Sequence, residues 1–206
     1  MKFKKKLLIF DLDGVLINSL PNMRYALKNT SNSIGKNLSF KDYKKYIGLP
    51  FEKIMMNMGI KSDHKKIKSL YIKFSNSNIS KIQILKKKIK HLNELKNNNI
   101  LAVFTSKDKF RTYKILKKYK LFEHYITSDD VLKGKPNPEG ILKILNKTKI
   151  EKKNCYFVGD TKYDYKAAVA AKINYLHVDW GLEKKLKYKK IKYIKSIFEI
   201  KKIIQN

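Results

Sequence analysis

The sequence predicts an α/β fold, in which helices cover both faces of a parallel sheet and a helical segment is inserted into the sheet-forming chain. Short aliphatic runs such as Leu7–Phe10 and Ile100–Phe104 are bounded by polar residues, as is typical of strands buried on both faces. Helical patterns separate these runs, which favours right-handed crossovers between parallel strands. Residues 18–82 contain helical patterns without a convincing strand. We therefore predict a core of residues 1–17 and 83–206 and a helical cap of residues 18–82.

The individual elements follow from apolar periodicity and from the residues that interrupt it. Proline stands in the first turn of two predicted helices, where its missing N–H costs nothing. Gly48 and Pro50 separate two short helices of the insertion. The predicted strands are Leu7–Phe10, Ile100–Phe104, His124–Thr127, Cys155–Val158 and Tyr175–Val178. The predicted helices are Pro21–Ser31, Lys41–Ile47, Glu52–Met58, Lys65–Ser75, Lys86–Lys96, Lys109–Tyr119, Pro138–Asn146, Tyr163–Ala171 and Ile197–Ile204.

Lysine dominates the charge of the chain. The formal net charge is +31, and 46 of the 48 basic residues are Lys, with Arg only at Arg24 and Arg111. A surface selected for nucleic acid would use Arg for bidentate contacts, and the lysines here are spread along the whole chain. Frequent Asn and Ile with scarce Ala and Pro point instead to the codon bias of an AT-rich genome. We expect no specific nucleic-acid partner, although such a charge attracts polyanions non-specifically.

The size and the apolar patterning predict a cytoplasmic protein. A chain of 206 residues can bury a core and still carry an insertion. No apolar run approaches the ~20 residues of a membrane helix, and the run after the basic N-terminus stops at Asp11 after four residues. The single cysteine, Cys155, cannot form an internal disulfide, which agrees with a reducing compartment. We expect a monomer or homodimer with no membrane partner.

Two carboxylates follow the first predicted strand. Asp11 and Asp13 alternate, so their side chains point the same way while Leu12 turns back into the core. Gly14 then permits a tight turn. Paired carboxylates repel unless a cation or a proton lies between them, so the pair indicates a divalent metal or acid–base chemistry. A polar strand-to-loop turn is the simpler alternative for these residues taken alone.

Three further polar clusters follow other predicted strands or open the helices after them. They are Thr105 with Ser106, Lys135, and Asp160 with Asp164. Each has an ordinary explanation alone, such as a helix cap or an exposed charge. Ligands of parallel α/β sheets bind beyond the carboxyl ends of the strands, so we expect these groups to meet Asp11 and Asp13 there.

The four clusters together resemble the motifs of the haloacid dehalogenase superfamily, in the branch of phosphoglycolate phosphatases and β-phosphoglucomutases with a helical cap. DLDGVLINS matches the first motif, FTS the second, the lysine of GKPNP the third and GDTKYD the fourth. The resemblance runs from about Leu7 to Gly181. It implies a Rossmann-like core, a Mg²⁺ cofactor and a small phosphorylated substrate.

The resemblance also implies roles for the acidic residues. Asp11 would attack phosphorus and form an aspartyl-phosphate, and Asp13 would act as general acid and then as general base. Mg²⁺ would lie between the carboxylate of Asp11, the main-chain carbonyl of Asp13 and Asp160. Asp164 would bind metal-coordinated water or orient the lysine of the third motif.

The remaining motif residues would bind the phosphoryl group and the rest of the substrate. Lys135, the Thr105 hydroxyl and the Ser106 backbone N–H would hold the phosphoryl oxygens. Lys107 follows the second motif and is a further candidate for an anionic substrate. Arg24 on the first cap helix is either a bidentate donor for a second anionic group or an ordinary surface residue. The four histidines show no metal-ligand spacing.

Three functions are compatible with this pattern. A carboxylate at Asp13 favours phosphate-ester chemistry, so a Mg²⁺-dependent phosphatase is the main hypothesis. A phosphosugar mutase of the β-phosphoglucomutase type is the first alternative, although such mutases typically carry a His where this chain has Met23. The second alternative is a non-catalytic basic binding protein on the same fold, which the intact acidic motifs disfavour.

Overall fold

A six-stranded parallel sheet forms the centre of the molecule, a computed structural model that describes residues 5–205. The strand order is β3-β2-β1-β4-β5-β6, which confirms the predicted α/β class. The strands are β1 Leu7–Phe10, β2 Ile100–Phe104, β3 His124–Ile126, β4 Cys155–Gly159, β5 Asn174–Val178 and β6 Lys192–Ile194.

The predicted helices occur in the predicted order, with ends that shift by a few residues. The largest differences are of three residues. The first helix continues further, whereas the second and the sixth end early, and a 3₁₀ turn over Lys117–Tyr119 follows the sixth. The helices are α1 Leu20–Ile34, α2 Phe40–Lys44, α3 Phe51–Asn57, α4 His64–Ser77, α5 Lys86–Lys96, α6 Lys109–Leu116, α7 Glu139–Thr148, α8 Lys162–Ala171 and α9 Phe198–Gln205.

Strand β1 is buried on both faces because it lies between two parallel neighbours. Leu7 is in register with Ile100 of β2 and with Cys155 of β4. Alternate side chains enter two separate apolar layers, as the strand period of two requires. Leu8 and Phe10 pack towards α5, α6 and α9, whereas Leu7 and Ile9 pack towards α7 and α8.

Four of the five helices between β1 and β2, α1 to α4, have an apolar cluster of their own. We call residues 20–77 the inserted helices. Leu27 of α1, Met55 of α3 and Tyr71 of α4 are buried in this third cluster, which is separate from the two layers on the sheet. The aromatic rings of Tyr43, Phe51 and Tyr71 contact one another within it.

The sheet topology brings the loops after β1, β2 and β4 to one edge. These three strands are direct neighbours and run in the same direction, so their carboxyl ends are adjacent. The loops contain Asp11, Thr105 and Asp160 respectively. Between residues 5 and 205, no helix combines the length and the apolarity that crossing a bilayer requires.

Candidate active site

Lys135 is the centre of the buried polar cluster at this edge. Its Nζ donates to Asp11 Oδ1 at 2.6 Å and to Asp164 Oδ1 at 2.7 Å, and all three side chains are buried. The ammonium also lies 5.5 and 5.7 Å from the ring centroids of Phe104 and Phe157. A cation removed from water requires such paired charges, so Lys135 holds two separate loops together electrostatically.

Asp164 is fixed by the first turn of α8. Thr161 is the N-terminal cap of this helix, and Asp164 closes a reciprocal capping box with it. Asp164 Oδ2 accepts hydrogen bonds from the Thr161 hydroxyl at 2.7 Å and from the Thr161 N–H at 3.0 Å. Its second oxygen is thereby aimed at Lys135, so the structure brings Asp164 and Lys135 together in the arrangement expected of an orienting carboxylate.

Asp160 supplies an unpaired carboxylate oxygen to the cluster. Its Oδ2 accepts from the Leu182 N–H at 2.7 Å, but its Oδ1 is buried without a hydrogen-bond partner within the described chain. One oxygen from each of Asp11, Asp160 and Asp164 lies within 4.8 Å of the other two. Three carboxylates beside a single lysine leave an excess of negative charge, and oxygen ligands at this spacing fit a hard divalent cation such as Mg²⁺.

The backbone around Asp160 leaves no space for additional side chains. Gly14 has φ +87, and a Cβ placed there would collide with the Asp160 carboxylate. A Cβ on Gly181 would collide with the Asp160 side chain from the other side. The loops after β1 and β5 thus enclose Asp160, and glycine is required at both positions.

Burial and mutual repulsion raise the pKa values of the carboxyl groups. Burial raises the pKa of Asp11 to about 7, with Asp164 and Asp13 adding to the effect and Lys135 opposing it. Burial and the neighbouring Asp164 raise the pKa of Asp160 well above its ordinary value. For Lys135, Asp11 and Asp164 outweigh burial and raise the pKa, which keeps the ammonium charged.

A pH dependence of stability follows from the raised pKa of Asp11. Its pKa is about 7 in the folded protein against 3.8 in the reference state, so the folded state binds the proton more tightly. The free energy of unfolding of the metal-free protein is therefore expected to fall as the pH rises from about 4 to about 7. Chemical denaturation in EDTA across this range measures it. Asp11→Asn is expected to show a shallower fall, and an identical pH profile for the two proteins would contradict the assignment.

Lys107 is buried beside the second aspartate. Its Nζ lies 3.1 Å from Asp13 Oδ1, and the two side chains are 3% and 13% exposed. Burial lowers the pKa of Lys107, with Arg111 acting in the same direction and Asp13 opposing them. Lys107 and Asp13 therefore line the same cavity, and contact of Lys107 with an anionic substrate stays a prediction.

Thr105 and Ser106 make different contacts. Thr105 Oγ1 accepts from the Lys107 N–H at 3.1 Å, so the hydroxyl lies inside the turn that follows β2. The Ser106 hydroxyl donates to the Gly48 carbonyl at 2.7 Å, across to the inserted helices. Ser106 therefore joins the loop after β2 to the segment between α2 and α3.

A cavity of about 50 Å³ lies between these groups and the inserted helices. This is room for only a few water molecules or one group of similar size. Its floor is polar and its roof is largely apolar. The floor consists of Asp11, Asp13, Thr105, Ser106, Lys107 and Lys135, and the roof includes Met23, Tyr43, Phe51, Ile54 and Tyr71.

The structure does not bring Arg24 to this cavity. Arg24 is exposed on α1, with its guanidinium 4.6 Å from the Phe40 ring centroid. Arg111 lines the cavity instead, although the sequence analysis assigned it no role. It is buried, its Nε donates to Asp108, and its Nη1 donates to Ser75 Oγ of α4 at 3.0 Å. Two features of the sequence could have pointed to Arg111. It lies four residues after Lys107, and Arg is rare in this chain.

The chain matches the family model described as haloacid dehalogenase-like hydrolase over residues 8–178. The chain therefore belongs to the haloacid dehalogenase-like hydrolase family and is an enzyme of the hydrolase class, as the motifs predicted. The observed core is the Rossmann-like fold expected for this family.

Two relatives of this chain are named as phosphatases. Pyrophosphatase PpaX of Oceanobacillus iheyensis is 27% identical over 184 residues, which cover 85% of this chain and 84% of the relative. Phosphoglycolate phosphatase 1 of Pseudomonas aeruginosa is 24% identical over 190 residues, which cover 85% of this chain and 70% of the relative. The two relatives are thus named as a pyrophosphatase and as a phosphoglycolate phosphatase.

Solved structures share the fold over almost the whole chain. A Lactobacillus plantarum protein, provisionally described as a phosphoglycolate phosphatase, superposes with a TM-score of 0.88 at 23% identity and covers 98% of this chain and 100% of its own. A haloacid dehalogenase-like family hydrolase of Streptococcus pneumoniae gives a TM-score of 0.83 at 21% identity, with 98% and 99% covered. At 23% and 21% identity, these similarities are evidence for a shared fold alone.

Proposed function

We propose that this protein is a Mg²⁺-dependent phosphatase that hydrolyses a small phosphorylated metabolite through an aspartyl-phosphate. The observation that carries the proposal is the buried Asp11 carboxylate, held by Lys135 at 2.6 Å beside the unpaired oxygen of Asp160. The names of the two relatives, a pyrophosphatase and a phosphoglycolate phosphatase, support hydrolysis at a phosphoryl group.

The acidic cluster fits the proposed cation. Asp11 and Asp160 would hold it, with Asp164 at the edge of the group, since their oxygens lie within 4.8 Å of one another and Asp160 Oδ1 has no other partner in the described chain. When bound, Mg²⁺ supplies positive charge that screens the carboxylates and the phosphoryl oxygens.

The residues of the chain divide the reaction into two displacements. The Asp11 carboxylate attacks phosphorus and forms the P–O bond of the aspartyl-phosphate, while the bond to the leaving oxygen breaks. Asp13 donates a proton to that oxygen, and then removes one from the water that attacks the aspartyl-phosphate. The second displacement releases phosphate and restores the Asp11 carboxylate.

Lys135 and the turn after β2 would stabilise the charge on the phosphoryl group. Lys135 stays protonated because two carboxylates raise its pKa, so it keeps its positive charge through both displacements. The Thr105 hydroxyl and the Ser106 backbone N–H would bind the remaining phosphoryl oxygens. Donors that are already fixed by burial need little reorganisation during the reaction.

The cations of the cavity favour a substrate with a second anionic group. Lys107 and Arg111 both line the cavity, and the proximity of Arg111 contributes to the lowered pKa of Lys107. A second phosphate or a carboxylate between them would relieve this repulsion. We therefore propose that Arg111, and not Arg24, binds the second anionic group of the substrate.

We propose that residues 18–82 act as a cap over a core of residues 1–17 and 83–206. The roof of the cavity comes from the inserted helices, and the Ser106 hydroxyl to Gly48 carbonyl bond joins the two parts at the cavity. Met23 lies in that roof, and a thioether cannot transfer protons. This favours hydrolysis over the mutase reaction.

Phosphate release from a panel of phosphate monoesters and from pyrophosphate, with Mg²⁺ and with EDTA, tests the proposal. Pyrophosphate and 2-phosphoglycolate carry a second anionic group, and ethyl phosphate is a match for phosphoglycolate with an uncharged end. We expect Mg²⁺-dependent release and a kcat/KM for phosphoglycolate at least about tenfold above that for ethyl phosphate, since one charge-assisted contact is worth about 1.4 kcal/mol or more. No release from any ester would contradict the function, and equal kcat/KM values would contradict the second anion site.

Gly14→Ala is expected to reduce kcat/KM about 10- to 100-fold, the range typical of changes that displace a metal ligand indirectly. The added methyl group would push the Asp160 carboxylate away from the cluster. Gly35→Ala is a matched control, because Gly35 also has a positive φ of +62 but has nothing within 4 Å of an added Cβ. The control is expected to lose about 1 kcal/mol of stability with unchanged kcat/KM. Equal losses of kcat/KM in both variants would indicate that backbone strain, and not displacement of Asp160, lowers the activity.

A further inference from the structure

A second, larger cavity lies behind the catalytic loops. Its volume is about 610 Å³, which is within the range of small-molecule sites, whereas the catalytic cavity has about 50 Å³. We call it the hinge cavity because both chain connections to the inserted helices line it. Ile17 and Asn18 belong to the first connection, and Lys81, Gln83 and Leu85 to the second.

The charge of the hinge cavity is positive. Lys81 and Lys88 line it, and its lining contains no Asp or Glu. Lys88 is half-buried, and its Nζ donates to the Val15 carbonyl at 2.6 Å. No carboxylate of residues 5–205 forms an ion pair with it within 4.0 Å. Burial lowers the pKa of Lys88 to about 8, and Asp160, which lies beyond the cavity lining, opposes the effect.

The other walls of the hinge cavity are apolar and aromatic. Trp180 is the only tryptophan of the chain, and its ring centroid lies 5.1 Å from Lys88 Nζ. The Trp180 Nε1–H donates to the same Val15 carbonyl at 3.2 Å, which fixes the indole beside the lysine. Leu85 is 62% exposed at the rim of the cavity.

We propose that the hinge cavity binds a planar organic anion of the nucleoside monophosphate type. The anionic group would pair with Lys88 and Lys81, and the ring would lie against Trp180 and Leu85. Aromatic side chains with an adjacent cation are the usual combination for such ligands. The site is distinct from the catalytic cavity, with which it shares only Leu182, and its proposed ligand does not depend on the proposed reaction.

Binding of AMP to the whole protein in EDTA tests this inference. Trp180 emission and equilibrium dialysis both report on the complex, and neither requires turnover. We expect saturable binding of AMP that is at least about tenfold tighter than that of adenosine or of inorganic phosphate. Adenosine lacks the anionic group that would pair with the lysines, and phosphate lacks the ring that would lie against Trp180. Phosphate that binds as tightly as AMP, or an absence of saturable binding, would overturn the proposal.

Two variants separate a specific site from the general charge of the chain. Lys88→Met removes the cation and keeps an apolar stem against Trp180, and we expect the Kd for AMP to rise about tenfold or more. Lys90→Met removes an equal charge from an exposed position of the same helix that does not line the cavity, and we expect an unchanged Kd. Equal weakening in both variants would show non-specific attraction and overturn the proposal.

Discussion

Asp11→Asn is expected to abolish phosphate release, with a loss in kcat on the order of 10⁴-fold or more, as is typical when a nucleophile is removed. The amide is nearly isosteric with the carboxylate but cannot form the bond to phosphorus. Its oxygen still accepts from Lys135 Nζ, so the buried contact at 2.6 Å has a replacement and the fold is expected to persist. Released phosphate, measured on the best ester of the panel in Mg²⁺, reports the loss.

Asp63→Asn is the control for this experiment. Asp63 is exposed, far from the cavity lining, and has a left-handed backbone that asparagine tolerates well. We expect wild-type turnover from it. Substantial turnover by Asp11→Asn, with a folded protein, would mean that another group attacks phosphorus, and the proposed aspartyl-phosphate would then be wrong.

Lys135→Met is expected to lower both the rate of phosphate release and the free energy of unfolding. The substitution leaves Asp11, Asp160 and Asp164 buried together without their cation, and the loss of one partner from a buried ion pair typically costs about 3–5 kcal/mol. Phosphate release is expected to disappear as well, because a thioether cannot hold the phosphoryl oxygens. Urea denaturation in EDTA measures the stability, and the ester assay measures the activity.

The pH dependence of Lys135→Met distinguishes electrostatics from lost packing. Without the lysine, the pKa of Asp11 rises further above about 7, so the stability deficit is expected to grow as the pH rises above about 7. Lys143→Met is the control, since Lys143 forms an i,i+4 pair with Glu139 at the surface, where solvent screening leaves an ion pair little effect on stability. A deficit of equal size at every pH would indicate that packing of the lysine stem is responsible.

The central strands were predictable because burial on both faces leaves a continuous aliphatic run, as in Leu7–Phe10 and Ile100–Phe104. Strand β6 was missed for the opposite reason. It is a three-residue edge strand, in which Lys192 and Tyr193 are exposed and only Ile194 is buried, so neither a run nor a clear alternation marks it. Its pairing with β5 depends on tertiary structure and not on local pattern.

The polar floor of the site was predictable because it follows the strand ends, whereas the roof was not. Asp11, Thr105 and Asp160 come together through the order of β1, β2 and β4 alone. Arg111 reaches the cavity because it is held by Ser75 of α4, a contact between residues far apart in the chain. Arg24 has the favourable residue type but points away from the cavity, towards Phe40. Residue type and sequence neighbourhood do not determine that difference.

The position of β1 at the middle of the sheet has a consequence for synthesis on the ribosome. Leu7 pairs with Cys155, a partner made about 150 residues later, which is roughly 7 to 30 s at usual translation rates. The inserted helices carry their own apolar cluster and emerge within that interval. We expect them to pack first, while the aliphatic β1 has no hydrogen-bonding neighbour until β2 is made and only that one until β4 is made. Nascent chains stalled before β2 are therefore the ones in which this strand is most exposed to aggregation.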